Sequence, residues 1–199
     1  MNKVIIIGHG ISAFKKKMGQ RIDEFDEVYR FLNAKNTKKM QKFIGSKTTH
    51  YLVKKKYKVK IDNENTSKRI IDLKRKIKRS RRNGIKILYD NSCFDYPDNE
   101  GSLQGIPKEY VKMFNLDKLE SSFKPRLGLK LIFMLLKTYK KITLYGFDVF
   151  GIDKETDKIY GNGLQHYWGK QKKNISDHDP HLESKIILQL MKEGKVSLM

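Results

Sequence analysis

The sequence predicts an α/β fold: one domain over residues 1–199, built on a mostly parallel sheet with helices on both faces. Three observations carry that prediction. An apolar, β-branched run from Lys3 to Ile7 stops at Gly8-His9-Gly10, as a buried strand does when it turns tightly. Strand-like and helix-like patterns then alternate to the C-terminus, the order that gives parallel pairing through crossover helices. The most apolar helical stretch, Pro125 to Lys141, leads into an alternating strand, Lys141 to Tyr145, that ends at Gly146. A chain of 199 residues supports one sizeable core and not two of ordinary size.

The remaining elements follow in order. Asp26 to Leu32 reads as the second strand, with Asn33 leaving its end as either a turn former or a ligand contact. Lys38 to Ile44 reads as a short helix stopped by Gly45, and the stretch after it, SKTTHYLVKKKYKV, as a half-buried third strand in which His50 is structural. Ser67 to Arg82 has Ile70, Ile71, Leu73 and Ile77 near helical spacing, with Asn83-Gly84 as the stop. Ile85 to Tyr89 is the fourth strand. Turn formers dominate from Asp90 to Gly105, a helix begins at Pro107, and the chain closes with a helix and a short strand. In the helix opened by Pro125, apolar residues cover most of the circumference, so it packs against the sheet. Its first turn, Arg126-Leu127-Gly128, offers backbone N–H groups and a positive dipole end to an anion.

The formal net charge of +21 points to an anionic partner. Lysines gather at Lys54 to Lys60 and basic residues again at Lys68 to Arg82. Such runs serve either as a solvated face or as a surface for acidic lipid or nucleic acid. The single cysteine, Cys93, allows no intramolecular disulfide, consistent with a soluble protein of a reducing, cytoplasmic compartment. The four-residue apolar run at the N-terminus is too short for a signal core or a transmembrane segment, and peripheral membrane association stays open. Ala13 stands where the third glycine of the dinucleotide fingerprint would fall, which argues against a classical NAD site and leaves other phosphate-bearing ligands.

Proton-transfer chemistry points to the last third of the chain. His166 lies in an aromatic loop, HYW, with Tyr167, and His178 lies just ahead of an apolar-periodic helix. Imidazole exchanges protons most readily near neutral pH, and both residues can project toward the edge where α/β folds bind ligands. Asp177 and Asp179 flank His178 as D-x-D, readable as a metal motif or as caps of the following helix, and capping is the favoured reading. No metal is expected.

At this point the order of motifs resembles the sialyltransferases of glycosyltransferase family 29. VIIIGHGISAFKKKMGQRIDEFDEVYRFLNAKN with GSKTTHYLV resembles the long sialylmotif. PRLGLKLIFMLLKTYKKITLYGF resembles the short one, HYW the third, and His178 with Glu183 the very short His-x4-Glu motif. The resemblance implies a GT-A-like variant of the Rossmann fold and inverting transfer from CMP-sialic acid to a glycan acceptor, with no further cofactor. It implies that His178 is the general base and that His166 stabilises the departing CMP phosphate. Gly8, His9, Gly10 and Asn33 would cradle the phosphate and nucleoside. Arg126, Leu127 and Gly128 would hold the nucleotide from the helix start, and Gly146, Phe147 and Tyr167 would complete the binding site. Glu183 would orient its surroundings.

Three departures from the family pattern stand out. His9 replaces the usual Asn after the first glycine. Arg126-Leu127 replaces two hydroxyl residues before Gly128. Val4 and Tyr139 stand where the animal enzymes carry the cysteines that join the long and short motifs. Two other functions compete with transfer: a basic nucleic-acid-binding protein, and a catalytically silent relative that binds CMP.

Overall fold

The computed structural model of the chain describes residues 2–32, 36–53, 68–89, 106–116, 125–147 and 180–199. Its strands are β1 (Val4–Ile7), β2 (Glu27–Phe31), β3 (His50–Val53), β4 (Lys86–Tyr89), β5 (Ile142–Tyr145) and β6 (Val196–Leu198). The described helices are α1 (Gly19–Asp23), α2 (Lys38–Ile44), α3 (Lys68–Arg82), α4 (Lys108–Met113), α5 (Leu127–Leu136) and α6 (Pro180–Lys192), with a 3-10 turn at Ile11–Phe14. The strands pair in the order β4-β3-β2-β1-β5-β6, and every pair is parallel.

Alternation along β1 sorts the core. Ile5 and Ile7 pack with Ile22, Val28, Ile44 and Tyr145 on the side covered by α1 and α2. Val4 and Ile6 join the larger cluster on the opposite side, with Leu129, Ile132, Phe133, Ile186 and Leu190 of α5 and α6. The period of two along a strand produces this division, and layers on both faces explain why β1 is apolar at each position. The register carries the first side outward: Ile7 lies opposite Arg30, and Arg30 opposite Tyr51. Tyr51 and Val53 then meet Ile70, Leu73 and Ile77 of α3.

The third strand departs from expectation. All four residues of β3 are buried, where its alternation predicts half burial. Its place between β2 and β4, with apolar layers on both faces, is the reason. The helix expected from Pro107 spans only Lys108–Met113, because Pro107 remains extended at its N-cap and Asn115 has a positive φ of 49°. The predicted stop of α2 holds: Gly45 has φ 72°.

Strand order reverses between β1 and β5, since the chain runs outward through β2 to β4 and returns on the other side of β1. The crevice outside the carboxyl ends of these two strands is where such sheets bind ligands. At the opposite edge, Glu27 accepts hydrogen bonds from the hydroxyls of Tyr139 (2.6 Å) and Tyr29 (2.7 Å). Burial raises the Glu27 carboxyl, but these hydrogen bonds outweigh it and hold the group below the usual range. His50 stacks on Tyr29 with ring centroids 4.2 Å apart, and burial lowers its pKa, consistent with a structural role. No helix among the described residues is long and apolar enough to cross a membrane.

Candidate active site at the carboxyl edge

The glycine turn after β1 and the end of β5 are joined directly. Gly8 donates its N–H to the Tyr145 carbonyl and Gly10 donates to the Gly146 carbonyl, both at 2.7 Å. These two N–H groups, which the sequence offers to a phosphate, hold the strand ends together. A side chain at Gly8 would put its Cβ 2.3 Å from the Gly146 carbonyl oxygen, and Gly146 itself has φ 69°. Both positions therefore require glycine for close approach or left-handed backbone.

Aromatic rings line the same end. His9 packs edge-on against Phe31, with centroids 5.0 Å apart. Phe147 lies against the start of α5, where a Cβ on Gly128 would meet its ring at 3.1 Å and the Phe31 ring at 3.8 Å. Gly8, His9, Gly10, Gly128, Gly146 and Phe147 are thus gathered around the reversal in strand order. Leu127 packs into the main core cluster at the first residue of α5. Asn33, His166, Tyr167, His178 and the flanking Asp177 and Asp179 lie outside the described residues.

The N-terminal end of α5 already faces an anion. Glu183, buried in α6, accepts from the Arg126 backbone N–H at 2.5 Å, and its second carboxylate oxygen lies 3.6 Å from Arg126 Nε. A carboxylate at this position complements the positive end of the helix and ties the start of α6 to the start of α5. Glu183 therefore orients its surroundings. Arg126, expected to offer its first-turn N–H to an anion, has that group engaged by Glu183.

Two cationic side chains, one within β2 and one packed beside it, carry no sequence-assigned role. Arg30 is 1% exposed, and its guanidinium donates to the carbonyls of Ile44, Gly45 and Lys47. Lys76, on α3, donates to the Leu32 carbonyl at 2.5 Å and covers the Tyr51 ring, so it holds the end of β2 just before Asn33. An arginine within an apolar strand is a readable signal of a satisfied buried charge. Lys76 gives no such signal, because it is one base among many in α3.

Burial pushes Lys76 down to about 8, with Arg30 adding repulsion. Between about 8 and the unfolded lysine value of ~10.4, the unfolded chain binds more protons than the folded one, so stability rises with pH. Urea unfolding across that window is expected to show the rise in the native chain. The same slope is expected to be lost in Lys76→Met.

Residues 102–195 match the family model described as Glycosyltransferase family 29 (sialyltransferase). The whole chain also superposes on a mammalian sialyltransferase in complex with Gal-beta-1-3GalNAc-ortho-nitrophenol, at TM-score 0.57 and 18% identity over 69% of that protein. A second structure of a mammalian sialyltransferase gives TM-score 0.54 and 19% identity over 68% of its length. Matches at this identity show the shared fold. No curated protein matches the chain significantly. Motif order, the parallel α/β sheet and the family match over residues 102–195 make the chain similar to the sialyltransferases of glycosyltransferase family 29.

Proposed function

We propose that the chain transfers a sialic acid from CMP-sialic acid to a hydroxyl of a glycan acceptor, with inversion. The observation that carries this reading is the convergence of the Gly8-His9-Gly10 turn, the Gly128 end of α5 and Gly146-Phe147 at the reversal in strand order. In this reading the turn and the start of α5 cradle the nucleotide, and the resemblance adds Asn33 and Tyr167 as binding residues.

His178 takes the proton from the acceptor hydroxyl as its oxygen bonds to the anomeric carbon. The bond from that carbon to the CMP phosphate oxygen breaks, and the electron pair leaves on the phosphate. His166 hydrogen-bonds that phosphate and offsets its growing charge. The sialyl carbon passes through an oxocarbenium-like state, so an imidazole of ordinary basicity suffices. Charge is met by His166, helix N-termini and nearby cations without a metal. The Glu183 tie supports this assignment, because it anchors α6 beside α5 only five residues after His178.

The test is donor hydrolysis and transfer with a panel of CMP-activated and other nucleotide sugars, using simple galactosides as acceptors. Sialyl transfer, with a rise in melting temperature on adding CMP, is the expected result. CMP binding without cleavage of any donor would identify a catalytically silent relative. Absence of both overturns the reading.

A further inference from the structure

One residue past the glycine turn, the surface becomes apolar and cationic at once. Ile11 is 41% exposed, an unusual state for a large aliphatic side chain beside a strand end. In a 3-10 turn, residues three apart eclipse, so Ile11 and Phe14 share one face. Phe14 meets Phe43 of α2 at 5.1 Å, and both rings are only partly buried. Met40 and Phe43 lie three residues apart on α2 and continue the same strip.

Lysines surround this strip. Lys15, Lys16 and Lys17 follow the turn and are exposed, and so are Lys38, Lys39 and Lys42 of α2. The Lys42 ammonium lies 5.0 Å from the Phe43 ring centre. Asp23, at the adjoining end of α1, is half-buried and engaged: its carboxylate accepts from the Ser46 and Lys47 backbone N–H groups and the Ser46 hydroxyl, whereas Glu24 beside it is exposed.

We propose that this face, from Ile11 through Lys17 together with the outer side of α2, docks on an anionic phospholipid surface. Lysines there meet the acidic headgroups, while Ile11 and the edges of Phe14, Met40 and Phe43 enter the interfacial region. A nucleic acid complements the lysines equally well but gains nothing from Ile11 or Met40. Phe14 and Phe43 pack against each other at an interplanar angle of 53°, with the Lys42 ammonium over the Phe43 ring, so neither ring stands alone as a platform for base stacking. The apolar centre therefore favours lipid. Because the patch begins at the turn that closes the candidate site, docking brings the carboxyl edge close to glycans carried on that surface. This use rests on the proposed reaction, whereas the binding itself does not.

The experiment is co-sedimentation of the full chain with vesicles of phosphatidylcholine, with and without phosphatidylserine, at low and physiological ionic strength. Binding is expected only to the phosphatidylserine vesicles and is expected to weaken with salt. Each lysine near such a surface contributes roughly fivefold in partition, so K15E/K16E/K17E, which adds repulsion to the loss of three lysines, is expected to lose at least about 100-fold. Ile11→Ser is expected to weaken binding at both salt levels. The charge-matched control R75E/R79E/R82E on α3 is expected to lose far less. Transfer to a soluble galactoside, measured in parallel on the lysine variant, separates docking from catalysis. Equal losses from the two triple reversals would reduce the effect to overall charge and overturn the proposal. So would failure to bind acidic vesicles, or tighter binding to duplex DNA at matched phosphate through the same lysines.

Discussion

His178→Ala is expected to lower sialyl transfer by about 10²–10⁴-fold while leaving the stabilisation by CMP intact, because a positioned general base supplies that much rate and contributes nothing to nucleotide affinity. An acceptor hydroxyl is a far weaker acid than imidazolium, so it can lose its proton only as the new bond to carbon forms. A neutral imidazole accepts the proton at that moment, since imidazolium has no lone pair to offer. Comparing kcat with KM for the donor is the decisive measurement. A variant that loses CMP binding and transfer together would make His178 part of the nucleotide cradle instead of the base, and an unchanged rate would remove it from the reaction.

Arg30→Met is expected to destabilise the fold by roughly 3 kcal/mol, the largest stability effect anticipated for a single side chain here. Removing the guanidinium leaves the buried carbonyls of Ile44 and Gly45, and the partly buried carbonyl of Lys47, without their shared donor. Methionine fills much of the volume, so the loss reports on hydrogen bonding more than on a cavity. Arg30→Lys should recover only part of it, because one ammonium cannot reproduce a planar fork that bridges three acceptors. The midpoint of urea unfolding at constant slope measures both variants. A shift in Arg30→Met no larger than that of an exposed arginine such as Arg79 would show that the carbonyls find other partners.

The sheet was legible because its signals are local. Runs such as VIII and KILY, and the stops at Gly45, Gly84 and Gly146, need no knowledge of distant residues to be read. Burial of β3 was not legible, since the alternation in HYLV does not reveal that a layer covers each face. In the site, the glycines were found from their spacing, but their hydrogen bonds were not. Whether the Gly8 and Gly10 N–H groups point to a ligand or to the end of β5 depends on a strand about 135 residues later in the chain. The Glu183 contact with Arg126 is hidden for the same reason, because a carboxylate reaching the first turn of another helix leaves no periodic trace. Lys76 was indistinguishable from its basic neighbours until burial set it apart.

Val4 lies directly opposite Glu27 in the register. The Tyr139 hydroxyl on Glu27 fastens the segment after α5 to β2, the strand beside β1. A clasp of this kind is indifferent to thiols and oxidants. It can open and close as the chain breathes, without an enzyme to reshuffle sulfur.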